Sequence, residues 1–136
     1  MAKEFKQFTI KKIDTPRFVM SPVELKEYIS FEVKRVYFIT QPKEVSGQHC
    51  HKIEEEFFIL VQGKCTAVID RGNGLEYLPM EGPTSAMYVP NYVWHGFENF
   101  SPDAVLLALS STNYTPDRSD YVEDYNEFLK LTHRTG

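Results

Sequence analysis

This sequence predicts an all-β domain, and three observations carry that reading. Short runs of aromatic and aliphatic residues recur at even spacing between Phe5 and Ser110. Turn formers separate them: Asp14-Thr15-Pro16, Gln41-Pro42-Lys43, Gly63, Asp70-Arg71-Gly72-Asn73-Gly74, Glu81-Gly82-Pro83 and Pro90-Asn91-Tyr92. Only the last stretch, Tyr121 to Thr132, has helical periodicity. Short strands punctuated by glycine and proline argue for an antiparallel sandwich or barrel. At 136 residues, the chain reads as one domain, 1–136, able to bury a core of its own.

Taken in order, Phe5 to Ile13 alternates Phe, Gln, Phe, Thr and Ile and reads as a strand, with Arg17 just beyond the turn that ends it. Ser21-Pro22-Val23-Glu24 opens a short turn. From Phe31 to Thr40 the alternation sets Phe31, Val33, Arg35, Tyr37 and Ile39 on one face. An arginine and a tyrosine among inward apolar residues require polar partners once buried. Next comes Ser46 to Gly63, where the chemistry concentrates. On extended backbone His49 and His51 project to the same side and Cys50 to the other, so two imidazoles share one face of a sheet. Phe57 to Gln62 is a mostly buried strand ended by Gly63.

Lys64 to Asp70 alternates as a further strand, and the Gly and Asn-Gly signals after it predict a hairpin into Leu75–Leu78. Ala86–Val89, Val93–Phe97 with His95 inside it, and Val105–Ser110 complete the series. In the final stretch Tyr121, Tyr125, Phe128 and Leu129 fall on one helical face, and Asp120 with Glu123 fits a capping box.

Charge and composition exclude several functions. Fifteen Lys and Arg stand against nineteen Asp and Glu, for a net charge of −4, and no basic cluster suits a nucleic-acid backbone. No run of about twenty apolar residues is present to form a membrane helix. The start Met-Ala-Lys-Glu-Phe-Lys does not resemble a secretion signal, so a cytoplasmic protein is expected. Cys50 and Cys65 are then expected as reduced thiols.

The spacing Gly47…His49-x-His51…Glu56…Gly63, followed by Gly82…Pro90…His95-x-x-x-Asn99, resembles the two motifs of the cupin superfamily. That resemblance implies a double-stranded β-helix, or jelly roll, with a short C-terminal helix. Within the superfamily, four features resemble the sugar 3,4-ketoisomerases: the run Phe31 to Thr40, Gly47 to Lys52, the Pro90-x-x-x-Trp94 element and Asp120-Tyr121-Val122-x-x-Tyr125. Such enzymes act on dTDP-4-keto-6-deoxy-D-glucose, move the keto group from C4 to C3 without a cofactor, and supply precursors of 3-amino-3,6-dideoxyhexoses for cell-surface glycans. The resemblance also implies a homodimer with exchanged N-terminal strands, for which Phe5, Phe8 and Ile10 offer apolar surface.

Residue by residue, the resemblance implies His49 as the base at C3, Tyr37 as its hydrogen-bonding partner and His51 as the shuttle between the two oxygens. On sequence alone the two histidines are interchangeable. Histidine suits both tasks because it titrates near neutrality. Arg17 and His95 stand where the galacto branch of the family has arginine and histidine and the gluco branch has tyrosine and arginine; they are the expected determinants of the face on which C4 is reprotonated. Arg35, Lys52 and Glu56 complete the expected substrate contacts. Two positions depart from the family: Ser46 replaces a usual arginine, and Glu56 a usual glutamine. With His49, His51 and His95, Glu56 completes the donor set of metal-binding cupins, so a metal-dependent dioxygenase or isomerase is the alternative, followed by a non-catalytic sugar-binding cupin. The primary reading assigns no metal.

Overall fold

The computed structural model describes residues 3–44 and 46–132. Two five-stranded antiparallel sheets face each other. The first runs in the order β1 (Lys6–Thr9), β9 (Ser85–Val89), β6 (Glu56–Gln62), β11 (Val105–Ser110), β4 (Arg35–Thr40). The second runs β12 (Tyr121–Val122), β5 (Ser46–His51), β10 (Trp94–Glu98), β7 (Lys64–Asp70), β8 (Glu76–Glu81). A ribbon of β2 (Ile13–Asp14) and β3 (Val19–Met20) and one helix, α1 (Tyr125–Leu131), lie outside the sandwich. This is the predicted jelly roll with its C-terminal helix.

Alternation along each strand explains the packing. Phe58 and Leu60 of β6 turn inward to meet Ala67 and Ile69 of β7, Met87 and Val89 of β9 and Leu106 and Ala108 of β11. Phe57 and Ile59 turn outward, yet they are also buried, beneath Phe8, Tyr28 and Phe31. Tyr28 stacks on Phe57 with ring centroids 5.5 Å apart. A strand covered on both faces needs the continuous run Phe-Phe-Ile-Leu rather than an alternating one.

Two glycines set how closely strands approach. Gly63 has φ +84°, and a Cβ there would stand 2.8 Å from Ala104 Cα. Gly47 has φ +88°, and its Cβ would stand 2.9 Å from Gly96 Cα. The second contact matters to the site, because it seats β5 against β10 where His49 and His95 are cross-strand partners.

Several expected elements are shorter or displaced. Ladder pairing begins at Arg35 rather than Phe31, because Phe31 and Val33 leave the sheet to cover the outer apolar cluster. The first strand ends at Thr9, and Ile13–Asp14 forms the separate ribbon. Pro79 does not stop β8, since that strand is the sheet edge, where a missing N–H costs no ladder bond. The helix begins four residues later than its periodicity suggests. Tyr121 and Val122 are paired to His51 and Cys50 as a strand, and the N-cap is Asp124, whose carboxylate accepts from the Glu127 amide at 3.1 Å. The expected Asp120–Glu123 capping box is therefore replaced, and Asp120 is committed elsewhere.

Behind the second sheet, α1 sets Phe128 and Leu129 on Cys50, Trp94 and Val122. Cys50 thus points away from His49 and His51, as the alternation requires. Cys50 and Cys65 form no disulfide and are both buried. Among the described residues, no helix is long and apolar enough to cross a membrane.

Candidate active site

Both sheets contribute to one cluster between them. β5 supplies His49 and His51, β10 supplies His95, and β4 and β6 bring Tyr37 and Glu56 from the opposite sheet. The rings of His49 and His51 have centroids 4.8 Å apart, as do those of His49 and His95. Glu56, 2% exposed, lies at the centre. Its Oε2 accepts from the Tyr37 hydroxyl, while Oε1 lies 3.3 Å from His51 Nε2 and 3.2 Å from His95 Nε2. Tyr37 is therefore the hydrogen-bonding partner of Glu56 and not, as the resemblance implied, of His49. β4 and β6 belong to one sheet and flank β11, so their inward side chains share a face and the Glu56 carboxylate takes the bond, whereas His49 stands on the opposite sheet.

A second layer surrounds His51. Its Nδ1 lies 3.2 Å from Asp120 Oδ2 and 3.5 Å from Glu54 Oε1. Glu54 is held in turn by Arg35 Nη2 at 2.9 Å and by the Ser110 hydroxyl. The Arg35 guanidinium also lies over the Tyr37 ring, 5.2 Å from its centroid. Tyr121 packs on both histidines of β5, with centroids 5.0 Å from His49 and 4.5 Å from His51.

These surroundings pull the two β5 histidines in opposite directions. Burial, followed by repulsion from His95 and His51, pushes the His49 pKa down to about 3, so His49 is neutral throughout the neutral range. Burial also opposes charge on His51, yet the carboxylates of Glu56, Glu54 and Asp120 outweigh it and raise its pKa. Glu56 is held ionised, because its bonds to His51 and His95 and their charge overcome its own burial. The Tyr37 hydroxyl is kept protonated by burial and by the neighbouring Glu56 charge. The site therefore holds an uncharged imidazole beside one whose neighbours favour its protonated form, which is the division that acid–base chemistry on adjacent atoms requires.

Access distinguishes the same two residues. His51 and His95 are 2% and 3% exposed. His49 is partly open, and lines both a small interior cavity shared with Tyr37, Phe58 and His95 and an open cleft bordered by Gln48, Arg118 and Glu123. Of the other expected residues, Arg35 and Glu56 belong to the cluster. Lys52 does not join it; its side chain is exposed and its amide donates to Asp120. Arg17 lies exposed in the turn between β2 and β3, its amide donating to Thr15 Oγ1 at 3.2 Å, and no contact among the described residues joins it to the histidines. The Ser46 side chain lies outside the described residues.

Sequence reasoning missed Glu54, Asp120 and Tyr121. Glu54, Glu55 and Glu56 look like a solvated acidic run, but strand alternation sends Glu54 and Glu56 inward and Glu55 outward to Tyr88 and Lys3. That periodicity was the available signal. Tyr121-Val122 carried a second one, a β-branched and an aromatic residue just before Asp124, itself a good N-cap.

A jelly roll with a buried cluster of histidines, a tyrosine and a glutamate between its sheets defines the protein as a cupin-type enzyme. The donor atoms of His49, His51, Glu56 and His95 lie within 4.8 Å of one another, close enough to chelate a cation, although Glu56 is already engaged by Tyr37. Residues 3–133 match the FdtA family, described as WxcM-like, C-terminal. A TDP-4-oxo-6-deoxy-alpha-D-glucose-3,4-oxoisomerase of Aneurinibacillus thermoaerophilus is 35% identical over 129 residues, 93% of this chain and 91% of the relative. A 3,4-ketoisomerase from Helicobacter canadensis has a structure with TM-score 0.84 at 30% identity, covering 97% of this chain and 99% of that one. The 3,4-ketoisomerase QdtA from Thermoanaerobacterium thermosaccharolyticum, solved with TDP as a double mutant changing a tyrosine to arginine and an arginine to histidine, has TM-score 0.84 at 27% identity, covering 96% and 95% of the two chains. The chain belongs to the FdtA family of cupin-type sugar 3,4-ketoisomerases, and it is an isomerase.

Proposed function

We propose that this enzyme converts dTDP-4-keto-6-deoxy-D-glucose to dTDP-3-keto-6-deoxy-D-galactose. The observation that carries the mechanism is the contrast on one strand between a neutral, accessible His49 and a buried His51 whose pKa the surrounding carboxylates raise. His49 takes the proton from C3, next to the C4 ketone. The C3–H electron pair becomes the C3–C4 double bond, and O4 receives a proton through His51, giving an enediol. Loss of the O3 proton to the same relay then restores a carbonyl at C3, while C4 receives a proton on carbon. Atoms balance and no electrons leave the sugar, so the reaction calls for proton carriers only. Glu56 faces the Nε2 atoms of His51 and His95 and keeps Tyr37 in place.

Arg17 and His95 are the residue pair expected of the galacto branch, and the double mutant of the relative carries the same two residue types in place of tyrosine and arginine. Arg17 stands on an arm whose Phe18, Val19 and Met20 are 56%, 52% and 46% exposed. Exchange of N-terminal strands in a homodimer would cover that apolar surface and carry Arg17 to the histidines of the other copy. The dTDP-sugar substrate suits a cytoplasmic enzyme that feeds an aminotransferase making 3-amino-3,6-dideoxyhexoses for surface glycans.

Incubation with dTDP-4-keto-6-deoxyglucose in deuterated water, followed by NMR, tests the whole reading. A C3 ketone, deuterium at C4 and the small H4–H5 coupling of an axial hydroxyl in any protiated fraction are expected. An unchanged substrate would remove the activity, and a large coupling would remove the stereochemistry. Chelation addresses the metal-dependent alternative, which the isomerase relatives disfavour. Activity should survive exhaustive chelator treatment, and Glu56→Gln should retain most turnover because the amide oxygen can still accept from Tyr37. Activity lost to chelator and restored by one divalent ion would overturn the proton-relay mechanism.

A further inference from the structure

The Asp120 carboxylate makes more contacts than a turn residue needs. Oδ1 accepts from the amides of Lys52 and Ile53 at 3.0 and 2.6 Å, and Oδ2 from the amide of Glu54 at 3.2 Å. These three residues lie in the link, 52–55, between β5, which carries the two histidines, and β6, which carries Glu56. The same Oδ2 stands 3.2 Å from His51 Nδ1, with the carboxylate only 14% exposed. One side chain thus fixes the loop and faces the ring it leads out of.

We propose that Asp120 is the positioning residue for His51, holding the ring with its Nδ1 protonated so that Nε2 is presented to Glu56 and the reaction cavity. This deepens the ketoisomerase reading and rests on it. A ring nitrogen facing a carboxylate keeps its proton, and the opposite nitrogen is then the one that exchanges protons. Two carboxylates face Nδ1 and one faces Nε2, so the proton on the Nδ1 side is the more strongly held. Glu54 faces Nδ1 from the loop, Glu56 faces Nε2 from β6, and His49, His95 and Tyr121 pack on the ring from β5, β10 and β12. Arg35 is spent on Glu54, and Arg118 lies over Tyr121, 3.9 Å from its centroid. Asp120 alone combines the ring contact with the loop clamp.

Asp120→Asn keeps two of the three loop bonds, losing the one from Glu54, and reverses the group that faces His51. The loop amides of Lys52 and Ile53 are donors, so they draw the amide oxygen toward themselves and leave the NH₂ group at His51 Nδ1. A donor there favours the opposite tautomer. The ¹⁵N signals of His51 in the substrate-free protein at neutral pH should show a protonated Nδ1 in the wild type and a loss of that proton in the variant. On dTDP-4-keto-6-deoxyglucose, kcat should fall roughly hundred-fold, the low end for a misdirected acid–base group, with KM nearly unchanged. Asp120→Glu retains the charge but fits the loop poorly; it should keep the Nδ1 proton and a higher kcat per folded molecule than Asn. If both folded variants show wild-type His51 signals and lose activity only as they lose structure, Asp120 is a loop clamp and the proposal fails. The ¹⁵N readout needs no turnover, so the expected tautomer change in a protein inactive on this sugar would reject the ketoisomerase reading alone.

Discussion

His49→Asn is expected to abolish nearly all turnover, by roughly 10³-fold or more, while dTDP binds almost as tightly as to the wild type. Of the three histidines in the cluster His49 is the one that lines the open cleft, and it is also the imidazole held uncharged by burial and by its neighbours. A group that accepts a carbon-bound proton acts in the transition state, so its loss lowers kcat and leaves ground-state affinity nearly intact. Asparagine matches the imidazole closely enough in size to leave the packing on His51, His95 and Tyr121 in place. Calorimetric titration with dTDP and single-turnover NMR check the two halves separately. Wild-type turnover in this variant would move the base elsewhere, and a parallel loss of dTDP affinity would mean that His49 serves binding.

Arg17→Tyr combined with His95→Arg is expected to redirect the product from the galacto toward the gluco epimer, a change of outcome rather than of rate. His95 lies beside Glu56 and across the ladder from His49, so an arginine there changes the charge over the reacting carbons while the C3 base remains. Arg17 lies outside this cluster in the single chain, and the proposed exchanged-arm homodimer would be the route by which it reaches C4. The changes act on one intermediate, so neither alone need suffice. Coupling constants at C4 read the result. Pure galacto product with weakened dTDP-sugar binding would confine Arg17 to the diphosphate and His95 to packing.

Where local periodicity governs, the sequence was a reliable guide. Lys64–Asp70 and Val105–Ser110 form strands at the expected boundaries, and the shared face of His49 and His51 follows from alternation alone. The face of Arg35, Tyr37 and Ile39 was legible for the same reason. Tertiary competition was not. Whether Phe31 pairs in a ladder or folds over the outer cluster depends on Phe57 and Tyr88, far away in sequence. Tyr37 chooses Glu56 over His49 because β6 and β4 flank β11 in one sheet and turn both side chains to the same face, a fact of topology rather than of spacing. Asp120 is the sharpest case. Its place before a helical pattern suggested a cap, and only the fold shows that the amides of residues 52–54 claim its carboxylate.

The helix behind β5 bears on where the catalytic apparatus ends. The predicted catalytic residues all precede Asn99, yet the sheet carrying three of them is buttressed from outside by Phe128 and Leu129. Emptying the Phe128 position would cost about 3–5 kcal/mol, comparable to the whole margin of a small domain. Residues with no chemical role thus govern how still the imidazoles are held, and sub-ångström placement is what proton transfer rewards. Helix α1 is scaffolding for chemistry performed by residues no later than His95, so a chain cut after Ser110 would retain every predicted catalytic residue and lose the rigidity that makes those residues an enzyme.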